Sequence, residues 1–333
     1  MNPHVHISSV SFDVTNQCNF RCKHCFNYSG EQKVSDKELD DQELIQLSNQ
    51  IIDINPDSAC ICGGEPLLRT NIVLDLIKKL SDANINVNMV SNGYLLDYNT
   101  AKKLVESGIS LIQISIDGFE EDHDWLRGRT GSFKKAIDSI DMLVDLGCNV
   151  SVACTPTIRN IDDVEDLIHF LNQHGVLRFR MQPIMNLGRA KLIHDYFPTN
   201  IDYNKLARRL GKISTHSKMT IEWGDPTEHL YSISNGFPLN YFVINPYGDV
   251  LLTPYIPIAV GNVRSHSLEE YLNAGYSRLG NNKTIQSILS MITNENEMDL
   301  SDKMKLPGLY ESDFFKVDII DDDFDCILSE FLK

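Results

Sequence analysis

The 333-residue sequence contains no apolar run of eighteen residues, so no part of it reads as a membrane-spanning helix. Its first nine residues lack the apolar core of a secretory signal, and we expect a cytoplasmic protein. Positive charge is short: 30 Lys and Arg stand against 46 Asp and Glu, for a net charge of −16. Phosphate backbones and anionic bilayers are held by clusters of cations, so neither nucleic acid nor a membrane is expected as a partner. Cysteine almost vanishes from the second half, where only Cys326 follows Cys154. One thiolate cannot hold a metal cluster. Low-complexity linkers are absent as well. The 42% of apolar residues is ordinary, and the length suffices for one large domain and a smaller one.

Against that background, Cys18-Asn19-Phe20-Arg21-Cys22-Lys23-His24-Cys25 stands out. Three cysteines fall within eight residues, spaced C-x3-C-x2-C, just after the alternating run Val10–Thr15. Three thiolates on one tight loop can face a single inorganic centre. Structural zinc sites and ordinary iron–sulfur sites take four protein ligands. A [4Fe–4S] cluster on three would leave one iron open to a small molecule. The competing reading is a zinc knuckle, whose fourth ligand would be His24 or a distant residue. His24 directly precedes Cys25, where it is awkwardly placed to close a tetrahedron. Cys60, Cys62, Cys148, Cys154 and Cys326 read as small apolar residues in a reducing compartment.

Short apolar runs alternate with helical patterns along the first half. Strands are predicted at Val10–Thr15, Ser58–Cys62, Val87–Val90, Ser110–Ile116, Val150–Thr155 and Leu177–Met181. Helices are predicted at Ser35–Ile54 with Ser35 as cap, Thr70–Asp82, Asn99–Ser107, Ser132–Leu146 and Asp162–Gln173. Six such repeats imply right-handed crossovers and a parallel sheet, here a partial (β/α)6 TIM-like barrel. Ligands of such folds gather at the C-terminal strand ends. The cysteine loop lies there, as do Gly63-Gly64-Glu65-Pro66, Ser91-Asn92-Gly93 and Asp117-Gly118.

These stretches, in this order, resemble the radical S-adenosylmethionine (SAM) superfamily. His123-Asp124, Arg127-Gly128, Gly131-Ser132-Phe133 and Gly188-Arg189-Ala190 resemble further motifs of its peptide-modifying subgroup. The resemblance spans about residues 9–190. It implies that Cys18, Cys22 and Cys25 are the catalytic metal ligands of a [4Fe–4S] cluster. It also implies a SAM site drawn from His24, Gly63, Gly64, Glu65, Asn92, Ser115, Asp117, Arg127 and Met181. There the two glycines admit a close backbone approach, Glu65 meets the ammonium, Ser115 and Asp117 the ribose or carboxylate, Arg127 the carboxylate, and His24 the adenine. The activity implied is reductive cleavage of SAM to a 5′-deoxyadenosyl radical that takes hydrogen from a substrate. An electron donor such as a flavodoxin or ferredoxin is the implied partner.

After Gly188 the pattern changes, and we divide the chain into a barrel at 1–190 and a smaller α+β domain at 191–333. Helices are predicted at Asn204–Ser214, Ser267–Leu272 and Thr284–Met291, followed by an acidic loop and an amphipathic turn at Ile327–Leu332. Strands are predicted at Thr220–Trp223 and Tyr241–Leu252, the second broken at Pro246-Tyr247-Gly248-Asp249. Gly248-Asp249-Val250, Gly261-Asn262-Val263 and Leu268-Glu269-Glu270-Tyr271-Leu272 resemble the framework of the subgroup's SPASM/twitch extension without its cysteines. Tyr255 or a neighbour stands where the first cysteine would be. A degenerate extension and a single cluster follow as expectations. The subgroup's usual peptide-recognition module has no room before strand one, so a separate recognition protein is expected for a peptide substrate. The substrate is read as a ribosomally synthesised peptide, with a small molecule (sugar, nucleoside or cofactor precursor) as the alternative. Arg178, Arg180 and Gln182 share one face of strand six. Pointing inward they would favour an anionic substrate or SAM; pointing outward they would be surface ion pairs. Glu222, Trp223, Asp225 and Tyr255 are candidates to line the site, with core packing the competing role for Trp223. Cys60 and Cys62 share a face just before the Gly63-Gly64 turn.

Overall fold

Short strands, each followed by an amphipathic helix, set the architecture. The computed structural model describes residues 6–31, 36–214, 218–224, 226–291 and 313–329. Strands β1 (Ser9–Asp13), β2 (Ser58–Cys62), β3 (Asn86–Ser91), β4 (Leu111–Ser115), β5 (Val150–Cys154) and β6 (Arg178–Met181) pair in chain order, all parallel. Helices α1 (Asp41–Ile54), α2 (Thr70–Asp82), α3 (Tyr98–Glu106), α4 (Glu120–Arg127), α5 (Ser132–Asp145) and α6 (Val164–Gln173) connect them.

Two details differ from the sequence reading. Helix α1 starts six residues later than Ser35, which lies outside the described residues. The cap is Asp40: its carboxylate accepts from Glu43 N while Glu43 accepts from Asp40 N, a reciprocal box that satisfies two otherwise orphaned donors. Helix α4 was not anticipated, because its sequence EEDHDWLR has no apolar stripe and buries only His123 and Leu126. Acidic residues in its first turn suit the positive end of the helix dipole, and Gly128 ends it at φ 67°.

The second half joins the same sheet at both edges. After α7 (Asn200–Ser214), strand β7 (Thr220–Trp223) pairs parallel with β6 and makes a seventh repeat where six were expected. Helix α8 (Pro226–Ser234) follows. Strand β8 (Tyr241–Ile244) lies parallel to β1 at the opposite side. Strands β9 (Asp249–Leu251) and β10 (Ile258–Asn262) continue antiparallel, and β11 (Phe315–Lys316) closes the edge of an eleven-stranded sheet. Helices α9 (Leu268–Ala274), α10 (Lys283–Leu289) and α11 (Phe324–Ser329) complete the α+β portion. Of the expected acidic loop, residues 292–312 lie outside the described residues, as do 330–332, and among the described residues no helix is long and apolar enough to cross a membrane.

Strand alternation separates two unlike faces. Val10, Phe12, Ile61, Met89, Ile114, Val152 and Phe179 point to the helix side and are at most 1% exposed. At about 1.5–3 kcal/mol per buried aliphatic side chain, this layer carries much of the fold's stability. The other face bears Ser11, Asp13, Cys60, Cys62, Asn88, Gln113, Ser115, Arg178 and Arg180, half-buried or exposed. The cysteine loop rises from the C-terminal end of that sheet.

Candidate active site

The cysteine loop leaves β1 and is pinned from four sides by backbone contacts. Gly64 N donates to Thr15 O at 2.7 Å and Glu65 N to Gln17 O at 2.8 Å. A side chain at Gly64 would bring its Cβ to 2.2 Å from Gln17 O, so glycine is needed for the β2 turn to touch the loop. From α4, Leu126 O accepts from Lys23 N at 2.8 Å. Arg129 donates to Asn19 O at 3.1 Å and lies over the Tyr94 ring at 4.0 Å. The loop's start is held by Glu38, which accepts from Thr15 Oγ1 and Asn16 N, each at 2.8 Å.

Arg189 forms the fourth clamp. It is 7% exposed and donates to Cys22 O at 2.8 Å and Ser29 O at 3.1 Å, while its own N–H reaches Cys25 O at 3.0 Å. Gly188 has φ 54°, and a Cβ there would stand 2.4 Å from Cys25 O. The Gly188-Arg189-Ala190 motif therefore closes the loop after its third cysteine.

The three thiols are free, and all three lie on the one loop. Burial pushes Cys22 up to about 12, with Cys25 and Cys18 adding to the shift and Arg127 opposing it. Burial also raises Cys18, with Cys25 contributing. Cys18 and Cys22, held protonated chiefly by burial, are groups that a metal centre would relieve, since metal binding stabilises thiolates and releases the protons. N–H groups already point at sulfur: Phe20 N is 3.4 Å from Cys18 Sγ and Arg127 Nη1 is 3.8 Å from Cys22 Sγ. The residues present fit an iron–sulfur cluster.

Beside the thiols lies a buried charged group of three. Asp117 Oδ2 is 2.6 Å from Arg127 Nε, in ion-pair contact but not aligned for a hydrogen bond, and 3.5 Å from His24 Nε2. Burial opposes the Asp117 charge, yet Arg127 and then His24 overcome it and hold the carboxyl below its usual range. Burial, aided by Arg127 and Arg189, brings His24 down to about 4, so its ring is neutral. Its Nδ1 is buried with no well-aligned hydrogen bond among the described residues. Asp117 N donates to His123 Nδ1 at 3.1 Å, and Thr155 N donates to Asp117 Oδ1 at 2.8 Å. The run His123 to Phe133 thus has a local job. Asp124 accepts from Ser132 Oγ at 2.7 Å and Phe133 N at 2.9 Å, locking α4 onto the start of α5 so that Arg127 faces Asp117.

Glu65 and Asn92 are more occupied than the sequence suggested. Glu65 is 1% exposed and accepts from Ser91 Oγ, Asn92 N and Leu67 N at 2.9, 2.9 and 3.1 Å. Burial still raises its pKa. The Asn92 amide donates to Asn19 Oδ1 at 2.8 Å, and its oxygen accepts from Tyr94 N at 3.0 Å. Ser115 ends β4 on the polar face. Met181 alternates with Arg180 and is fully buried in the core layer with Phe179.

A family model described as the radical SAM superfamily matches residues 12–171. Residues 12–171 thus carry a radical SAM domain. The sporulation killing factor maturation protein SkfB of Bacillus subtilis is 30% identical over 65% of this chain and 50% of its own length. The chain therefore spans about half of that curated relative. The AdoMet-dependent heme synthase of Methanosarcina barkeri is 22% identical over 78% of this chain and 80% of its own. Streptococcus suis SuiB bound to precursor peptide SuiA has TM-score 0.66 and 14% identity over 80% of this chain and 65% of that one. SuiB bound to S-adenosylmethionine has TM-score 0.68 and 14% identity over 95% and 78%. These structures share the fold of a TIM-like partial barrel with a C-terminal portion.

Beside this radical SAM domain the second half supports the site by shape. Tyr255, expected near a lost cysteine position, is 7% exposed and packs at 5.9 Å against Phe26, the residue after Cys25. Gly261 admits the Tyr271 ring: a Cβ there would lie 2.2 Å from it, and Tyr271 OH accepts from Asn262 N at 2.8 Å. Trp223 packs edge-on against Tyr203 at 6.0 Å, and Asp225 lies outside the described residues. Arg178 and Arg180 face the polar side, in register with Ser151 and Ala153. Sequence reasoning missed the clamps Glu38, Arg129 and Arg189. Only Arg189 carried a signal, its place in a motif.

Proposed function

We propose that this protein is a radical SAM enzyme that binds a [4Fe–4S] cluster on Cys18, Cys22 and Cys25 and modifies a ribosomally synthesised peptide. The observation that carries the chemistry is the placing of three free thiols on one loop beside the Asp117–Arg127–His24 group at the C-terminal ends of parallel strands. Bound there, the cluster and SAM would supply a 5′-deoxyadenosyl radical. The chain's own residues do the rest. Arg189, Lys23 N and Gly64 N hold the loop; Arg127 and Asp117 orient polar groups of the cofactor; Glu65, Ser115 and His24 complete the SAM site. Burial of these groups keeps water away from the reacting atoms. We assign residues 1–190 to the catalytic unit and 191–333 to a degenerate SPASM/twitch-like unit, with a flavodoxin or ferredoxin as reductant.

The peptide substrate is supported by the His123–Phe133 run and by the likeness to SkfB and to the peptide-bound SuiB. The alternative, a small-molecule substrate, is favoured by the likeness to the heme synthase, which covers more of both chains. The deciding experiment incubates the anaerobically reconstituted enzyme with SAM, dithionite and candidate precursor peptides. A mass change in a peptide supports the first reading. Reductive SAM cleavage with every peptide unchanged, alongside conversion of a small molecule, establishes the second.

A further inference from the structure

A break in the charge pairing lies on the polar face, two strands from Ser115. In the register Ser115–Ala153–Arg180–Glu222, Arg180 stands level with the end of β4. Its neighbour Arg178 is ion-paired with Glu222 at 3.2 Å. Arg180 has no carboxylate partner among the described residues, although the chain carries 46 acidic side chains. Room is kept for its guanidinium: a methyl group at Gly224 would sit 2.6 Å from Arg180 Nε. His229 of α8 is half-buried nearby, and burial first, then the Arg180 charge, lowers its pKa and keeps the imidazole neutral. That ring is edge-on to Tyr241 at 5.1 Å and Tyr255 at 6.1 Å. Tyr255 in turn meets Phe26, directly after Cys25. An aromatic wall thus runs from the cysteine loop toward a guanidinium with no carboxylate partner among the described residues.

From this geometry we infer that Arg180, with His229 and the Tyr241–Tyr255 wall, forms a substrate subsite that takes a carboxylate, either the C-terminus of a peptide or an acidic side chain. A guanidinium fork matches a carboxylate with two parallel N–H···O bonds, and the neutral imidazole adds a donor. The inference deepens the peptide reading and rests on it only for the source of the carboxylate.

The test uses the reconstituted enzyme with SAM, without reductant, and ligand-observed NMR titration. Three probes separate the sources: N-acetylphenylalanine, N-acetylglutamic acid α-amide, and N-acetylphenylalaninamide, which has no carboxylate. At least one acid is expected to bind about tenfold more tightly than the neutral amide, the scale of one charge-assisted contact. Which acid binds identifies the source. Arg180→Gln is expected to erase the preference, Arg180→Lys to keep part of it, and Gly224→Ala to weaken it by moving the guanidinium. Iron content and SAM binding should be unchanged in all three, which separates the effect from misfolding. Equal binding of acids and amide, no binding by any probe, or an Arg180→Gln enzyme that still prefers acids would overturn the inference. A carboxylate preference without any modified peptide would leave the subsite standing and remove the peptide reading. A modified peptide without the preference would do the reverse.

Discussion

The two faces of one sheet in this enzyme obey opposite rules. On the helix side, Phe12, Ile61, Ile114 and Phe179 are shut from water and interchangeable in kind, since what they supply is apolar area and packing. On the other side, Asp13, Cys60, Cys62, Ser115 and Arg180 are polar, partly open and specific in place. The first face is where the chain gains stability. The second is where it gives some back, because half-buried polar groups lose water without full replacement. Function sits on the costly face and on the loops above it.

The largest expected effect is at that loop. Replacing Cys18, Cys22 and Cys25 together by Ala should bring iron and sulfide in anaerobically reconstituted protein to background and abolish reductive SAM cleavage. Substantial iron surviving in that variant would show a second ligand set and break the single-site reading. On the helix face, Ile61→Ala should cost about 2–5 kcal/mol in chemical denaturation, with iron content per folded molecule unchanged. A cost below about 1 kcal/mol would mean that the layer is less tightly packed than its burial indicates.

Arg189→Ala should fall between the two kinds. Loss of charged hydrogen bonds to Cys22 O and Ser29 O should cost about 1.5–3 kcal/mol and also lower iron occupancy, which a core variant would not do. Unchanged occupancy would relegate the clamp to stability alone.

A further effect distinguishes the polar face by its pH dependence. Burial, helped by Glu38, raises the Asp13 carboxyl to about 7 from its ordinary 3.8. A carboxyl with a raised folded pKa favours the folded state most at low pH, and that advantage is lost as pH rises from about 4 to 7. Asp13→Asn should therefore be more stable than the parent above pH 7 and lose the part of the slope between pH 4 and 7. Thermal melts across that range are the check. A parent and variant with parallel profiles would show that Asp13 keeps enough water to ionise normally.

Much of the fold was legible because periodicity reports burial. The strand at Ser58–Cys62 and the helix at Thr70–Asp82 were placed to the residue, since each carries a regular apolar pattern and a clear stop. Helix α4 was not, because a helix that buries only His123 and Leu126 leaves no stripe to read. Asp40 displaced Ser35 as the cap of α1 because capping depends on a reciprocal contact with Glu43, which a single Ser does not announce. Strand β7 was seen as a strand, but its place beside β6 was not, since pairing partners at a distance leave no local trace. In the site, the three cysteines and Asp117 were readable from spacing and motif. The occupation of Glu65 by Ser91, Asn92 and Leu67 was not.

The sequence by itself determined the repeating strand–helix order, the three-thiol loop, the order of the motifs around it and the loss of cysteine from the second half. These are properties of spacing and residue type, fixed before the chain folds. Tertiary structure alone decided that Gly64 and Gly188 serve close backbone contact with the cysteine loop, that Arg189 holds it, that Arg127 pairs with Asp117, and that Arg180 is left facing the polar side with no carboxylate among the described residues. Each of these depends on which groups meet across long separations in the chain, and on how much water they keep when they do.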